Sequence, residues 1–349
     1  MEFKPDYRNI VDAACNRVPA RLPLYDHLID ARVMEEVLGV KFAHLQKGPS
    51  QDKDAYFAQY CRFFKEMGYD IVTFEGCITD ILPGGGALGG HKKGVIGTRE
   101  DFEAYPWDEV ENIYFSAYGP DFEALRRNMP EGMRAVGGVG NGIFECVQDL
   151  VGYMDLCFLR EDDPALYALL FRRMGEMSLC IWQRFLREYG DVYCVCRFGD
   201  DLGFKSATLL DTQDIRSHII PGYKNIIEAV HRAGKPFLLH SCGRIFEVMD
   251  DLIAAGIDAK HSNEDQIAPF EEWVNRYGAR IGNFGGIDTD AVCRLAPDEM
   301  DAYIQNVVEK SQGHGGFAFG SGNSIPAYVP AGQYLHMTRC VRRIRGETV

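Results

Sequence analysis

The chain has 349 residues, 46% hydrophobic and 25% charged, the balance of an ordinary globular protein rather than a disordered one. Its 37 lysines and arginines against 51 aspartates and glutamates leave a net charge of −14, which argues against a general nucleic-acid-binding surface. No apolar run is long enough to span a membrane, and the opening Met1-Glu-Phe-Lys-Pro-Asp has no signal-peptide core, so eleven cysteines read as reduced thiols of a cytoplasmic chain.

Length alone allows two average domains or one α/β barrel. In chain order, short β-like runs fall at Leu22–Tyr25, Ile71–Phe74, Arg134–Val139, Val192–Phe198, Pro236–Leu239, Ile257–Lys260, Ala279–Phe284 and Gly316–Phe319. Between them lie helical patterns at Ala55–Met67, Asp163–Tyr189, Ile215–Ala233, Ile245–Ala255 and Pro297–Gln312. Strands alternating with helices imply parallel pairing, and eight such units predict a (β/α)₈ TIM barrel over 1–349 with an N-terminal helical extension. A doubly wound sheet is the alternative. The stretch 84–130 fits the repeat poorly and reads as an insertion.

Barrel enzymes carry their chemistry just after the strand ends. There the chain places Glu75, Cys77 and Asp80, then Asp200 and Asp201, then His240 and Cys242, then His261, and finally Ser321 and Asn323. In Leu238-Leu239-His240-Ser241-Cys242-Gly243 an imidazole and a thiol two residues apart point the same way, roughly 6–7 Å apart along the chain. Both can reach one zinc ion, with Gly243 letting the backbone curl; a buried cysteine beside a hydrogen-bonded histidine is the competing reading. In Gly199-Asp-Asp-Leu-Gly203 neighbouring carboxylates diverge, so one at most faces the funnel, and an N-cap is the structural alternative. The glycine run 84–90 lacks a phosphate-loop ending and reads as a flexible loop; His91, Lys92 and Lys93 after it read as solvated. Cys194 and Cys196 read as strand packing.

Taken together, Arg21-Leu-Pro-Leu-Tyr25, Asp80-Ile-Leu-Pro83, Gly199-Asp-Asp-Leu-Gly203, His240-Ser-Cys-Gly243, Gly285-Gly-Ile-Asp288 and Gly320-Ser-Gly-Asn323 resemble the uroporphyrinogen decarboxylase superfamily. That resemblance implies a (β/α)₈ barrel. The decarboxylase itself has an Arg-Gln-Ala-Gly-Arg segment after its first strand. Here that place reads Tyr25-Asp-His-Leu-Ile-Asp-Ala-Arg32, acidic where cations would hold a tetrapyrrole's carboxylates. Asp80 matches the family's catalytic aspartate, whereas Asn323 stands where its closing histidine is expected. The corrinoid-linked methyltransferase branch has zinc on His-x-Cys and a distant cysteine; His240 and Cys242 match, and the third position again falls at Asn323. Either Glu75, Cys77 or His261 then completes the ion, or the site binds metal weakly or not at all.

The function expected on these grounds is transfer of a methyl group from a small, methoxylated compound to a corrinoid protein, an O-demethylation. The metal set is His240, Cys242 and Glu75. The catalytic set is Asp80, Asp200, Asp201 and Asn323, with Asp80 or Asp200 protonating the leaving oxygen. Phe198, Phe204, His261 and Phe284 are the expected substrate-binding residues. No corrinoid-binding Asp-x-His-x-x-Gly segment occurs, so the corrinoid is expected on a separate partner protein. A lyase acting on a carboxylated substrate and a non-catalytic ligand-binding barrel are the alternatives. The methyl donor and the oligomeric state are not legible here.

Overall fold

The structure, a computed structural model, describes residues 3–90 and 92–348; His91 lies outside them. Seven strands form one parallel sheet in sequence order: β1 Ile71–Cys77, β2 Arg134–Gly140, β3 Tyr193–Gly199, β4 Phe237–His240, β5 Ala259–His261, β6 Gly282–Ile287 and β7 Phe317–Ser321. Each crossover is helical, as parallel pairing requires. Thus Val110–Asn128 joins β1 to β2, Pro164–Tyr189 leads into β3, Ile220–Arg232 into β4, Phe270–Tyr277 into β6 and Pro297–Ser311 into β7. The strands are buried on both faces, which explains their near-continuous apolar reading.

The expected eighth strand is not one. Leu22–Tyr25 reduces to a single parallel bridge, Leu24 to Phe319. Tyr25 N–H donates to the Phe319 carbonyl (2.8 Å) and Phe319 N–H to the Pro23 carbonyl (2.9 Å). Pro23 has no N–H to offer a second neighbour, and among the described residues no strand register joins this segment to β1. The sheet therefore curls like a barrel but keeps an open seam there. Side chains nevertheless meet across the seam: Tyr25, His27, Glu75 of β1 and Arg197 of β3 lie in one interior cluster.

Other boundaries shift for local reasons. The expected insertion is confined to the segment before 110, since Val110–Asn128 is the ordinary crossover helix and carries Pro120. The glycine run 84–90 is not loose, because the Gly86 and Leu88 amides donate to the Asp149 carboxylate at 2.9 and 3.0 Å. The helix expected from Ile215 opens with a π turn over Ile215–Ile219, and the one expected from Ile245 begins only at Met249. All eleven cysteines are free thiols, and none of the described helices is long and apolar enough to cross a membrane.

Candidate functional site

Strand register decides which side chains face the interior. His240 pairs with Gly199 on one side and His261 on the other, and His261 pairs with Phe284, so these share the inner face. Phe198, one residue off, faces outward. It is buried against Trp182, Tyr223 and Phe237, so it belongs to the helix layer and not to a substrate wall. Phe284 does face inward, but it is buried edge-on to Tyr25 at 5.0 Å. Phe204 is 60% exposed on the loop after β3, at the mouth.

The two neighbouring aspartates separate as their alternation predicts. Asp200 is buried and accepts from the Phe144 and Glu145 amides (2.9 and 2.8 Å) and from the Tyr223 hydroxyl, capping the helix Ile143–Val151. Burial pushes its carboxyl up to about 7. Asp201 turns the other way: its Oδ1 accepts from the Cys242 amide at 2.9 Å and lies 3.7 Å from His240 Nε2. This approach depends on bare backbone. Gly243 has φ +80, and a Cβ there would lie 2.2 Å from the Gly203 carbonyl carbon; the Arg244 amide then donates to the Phe204 carbonyl at 2.7 Å.

His240 Nε2 lies 3.4 Å from Cys242 Sγ, so imidazole, thiol and the Asp201 carboxylate converge with their ligand atoms within 4.8 Å of one another. A tetrahedral zinc with bonds of about 2.1 Å to nitrogen and 2.3 Å to sulfur needs ligand separations of about 3.4–3.6 Å. The observed 3.4 Å from nitrogen to sulfur and 3.7 Å from nitrogen to oxygen come close to these values, within about 0.3 Å. A mixed N, S and O donor set is one that zinc accepts. Asn323 adjoins this set differently from a ligand: its Oδ1 accepts from the Ser324 amide (2.8 Å), which turns Nδ2 to donate to Cys242 Sγ (3.3 Å). Burial holds the His240 ring neutral and raises the Cys242 thiol, with Asp201 adding to the latter.

Glu75 has another occupation. Its Oε2 is 2.7 Å from Arg197 Nη2, both side chains being buried, and its Oε1 is 3.8 Å from His27 Nε2. Among the described residues it does not join the Asp201 group, and Asp201 takes the place expected for it. Cys77 Sγ approaches Glu75 at 4.0 Å, and burial raises that thiol too. A second group, His27, His240 and His261, also comes within 4.8 Å. There, however, His27 Nδ1 accepts from Arg197, and both His261 nitrogens are engaged, with His240 Nδ1 at 2.7 Å and the Ser321 carbonyl at 3.0 Å. The His27 and His261 nitrogens are thus held by Arg197, by His240 and by a backbone carbonyl, and only His240 Nε2 faces the Asp201 group.

Asp80 is exposed on the turn after β1, accepting from Tyr118 at 2.9 Å. Sequence reasoning missed Glu145, a half-buried carboxyl that accepts from Asn141 (2.8 Å). Burial, then Asp200 and Asp201, hold it well above the usual carboxylate range. It sits in the first turn of the helix Ile143–Val151 that follows β2, and no local motif marks it. A cavity of about 360 Å³ opens beside the centre, lined among others by Lys205, Glu264, Asp288, Asn323 and Tyr328. A larger hollow of about 890 Å³ lies at the opposite strand ends, near Cys61, Asn128 and Arg342, away from this chemistry.

The fold is shared with solved structures. A methyltransferase from Methanosarcina mazei superposes with a TM-score of 0.72 at 13% identity, covering 96% of this chain and 98% of its own. A putative vitamin-B12 independent methionine synthase from Listeria monocytogenes gives 0.52 at 14% identity, covering 93% and 98%. No curated protein sequence matches. The family model described as Uroporphyrinogen decarboxylase (URO-D) matches residues 90–344, well over half of the sequence, and the chain belongs to that family.

Proposed function

We propose that the protein is a methyltransferase that takes a methyl group from a small methoxylated compound and passes it to a corrinoid carried by a separate protein. The observation that carries this reading is the convergence of His240 Nε2, Cys242 Sγ and Asp201 Oδ1 at the strand ends, beside an open cavity. These three residues would hold zinc, which when bound supplies a Lewis acid that polarises the ether oxygen. In the reaction, the reduced cobalt of the corrinoid attacks the methyl carbon and the C–O bond breaks. The bonding pair stays on the oxygen, the oxygen takes a proton, and cobalt is formally oxidised by two electrons.

The residues of this chain then have distinct duties. Asp201, His240 and Cys242 would hold the ion at the strand ends, and so would set where the ether oxygen sits and turn the methyl group toward the mouth and the incoming partner. Asn323 Nδ2–H stabilises charge on the Cys242 sulfur. Glu145, whose carboxyl is held above the usual range by burial and by its acidic neighbours, is the proton donor in this reading, in preference to exposed Asp80 or to Asp200, which caps a helix. Exposed Phe204 and Tyr328 flank the approach.

The test is incubation of zinc-loaded protein with cob(I)alamin and a panel of methoxylated compounds, followed by absorbance of methylcobalamin. Turnover that disappears in Cys242→Ala, with the fold intact by circular dichroism, supports the proposal. No methylation across the panel, or carbon dioxide release from a carboxylated substrate without corrinoid, overturns it.

A further inference from the structure

Behind the Asp201, His240 and Cys242 cluster runs a line of hydrogen bonds whose direction is set at one end. The Ser321 carbonyl oxygen can only accept, and His261 Nε2 lies 3.0 Å from it, so Nε2 carries that ring's proton. A neutral imidazole has a single N–H, which leaves His261 Nδ1 as a lone pair. His240 Nδ1 lies 2.7 Å from it and must therefore donate. The proton of His240 is thus committed to Nδ1, and Nε2 is left bare, facing Cys242 Sγ and Asp201 Oδ1. The opposite direction would set a bare His261 Nε2 against the lone pairs of the carbonyl.

The anchor is itself fixed. Asp26 Oδ1 accepts from the Ser321 amide (2.8 Å) and hydroxyl (2.6 Å), and the Tyr25 ring meets His261 edge-on at 5.0 Å. His261 is wholly buried, so it does not reach a substrate. We infer that His261 is a positioning residue: with the Ser321 carbonyl it locks His240 in the tautomer whose Nε2 is ready to bind a metal. The neighbouring His27 is fixed the other way round. Its Nδ1 accepts from Arg197, which leaves the proton on Nε2 toward Glu75. A ring in that tautomer offers the cluster no lone pair.

This inference rests on the metal reading above for its purpose but can be tested without it. In metal-free protein labelled with ¹⁵N-histidine, two-bond ¹H–¹⁵N correlation should show His240, assigned by its loss in His240→Gln, protonated at Nδ1 and bare at Nε2. His261→Gln retains an acceptor for His240 and a donor for Ser321, so it should keep that tautomer and bind zinc within a few-fold of the wild type. His261→Phe removes both, and its zinc affinity, read by competition with a chromogenic chelator, should fall by about 10–100-fold. A wild-type His240 carrying its proton on Nε2 overturns the inference, as does a folded His261→Phe that binds zinc as tightly as wild type. Should His261→Phe not fold, the wild-type spectrum alone decides. None of these readouts involves methyl transfer, so failure of the proposed reaction is seen separately.

Discussion

His27 and His240 stack face to face with ring centroids 3.8 Å apart, yet the regions around them do opposite things. On the His27 side a guanidinium is built in. Arg197, fully buried, donates to the His27 ring and backbone carbonyl, and its Nη2 lies at ion-pair distance from Glu75. On the His240 side no guanidinium intervenes. A thiol and a carboxylate face a bare nitrogen, and the Asp201 side chain is 41% exposed to the mouth. Both regions contain an imidazole and an acid. A buried cation, Lys260, also acts on His240 and Cys242, but its ammonium is engaged by the Ser262 carbonyl and the Trp273 face. What separates the two regions is whether a cation sits in contact with the acid. Where arginine fills that place the cluster is structural, and where it is missing the donors remain available.

The largest effect that would sharpen this contrast is on metal binding. His240→Ala or Cys242→Ala should reduce zinc affinity by about a thousandfold or more, since each removes a ligand outright. His27→Asn, in the adjacent ring, should change it by less than about tenfold. Equal losses from both sides, measured by chelator competition, would erase the distinction. Next comes Arg197→Met, which leaves Glu75 buried without its cation and should cost about 3–5 kcal/mol in urea unfolding. Burial already raises the Glu75 carboxyl, and losing Arg197 raises it further. A carboxyl raised in the fold holds its proton beyond the pH at which the unfolded chain releases it, so the penalty is absent at low pH and grows as pH rises through the raised value. The stability gap between wild type and Arg197→Met should therefore be wider at pH 8 than at pH 5; a gap that narrows would contradict the assignment.

The neighbouring aspartates give a smaller and cleaner split. Asp200→Ala removes a helix cap and the Tyr223 partner and should cost about 1–3 kcal/mol of stability. Asp201→Asn should leave stability within about 0.5 kcal/mol, as a partly exposed substitution, while weakening zinc binding. Smallest of all, Asn323→Ala removes one hydrogen bond to sulfur and should weaken zinc about two- to tenfold.

Part of this was legible in the residues. Seven of the eight strand runs were readable because two-sided burial makes them apolar, and His240-x-Cys242 was readable because strand parity points both side chains one way. The divergence of Asp200 and Asp201 followed from the same parity. Leu22–Tyr25 misled because it is apolar like the others, and Pro23 limits its pairing. Phe198 was assigned to the wrong face because parity needs an anchor, and register supplies that anchor only once Gly199 is seen opposite His240. Glu75 was a reasonable ligand by position, and only the contact with Arg197, 122 positions along the chain, shows it engaged. Asp201 reaches Cys242 through the close approach of Gly203 to Gly243, a contact between loops that no local pattern encodes.

Elemental analysis with zinc-edge X-ray absorption on purified protein tests the central claim most directly. One zinc per chain with one sulfur at about 2.3 Å and nitrogen or oxygen neighbours at about 2.0–2.1 Å, lost in Cys242→Ala, is the predicted result. A folded wild-type chain that takes up no zinc, or binds it without any sulfur neighbour, would contradict it.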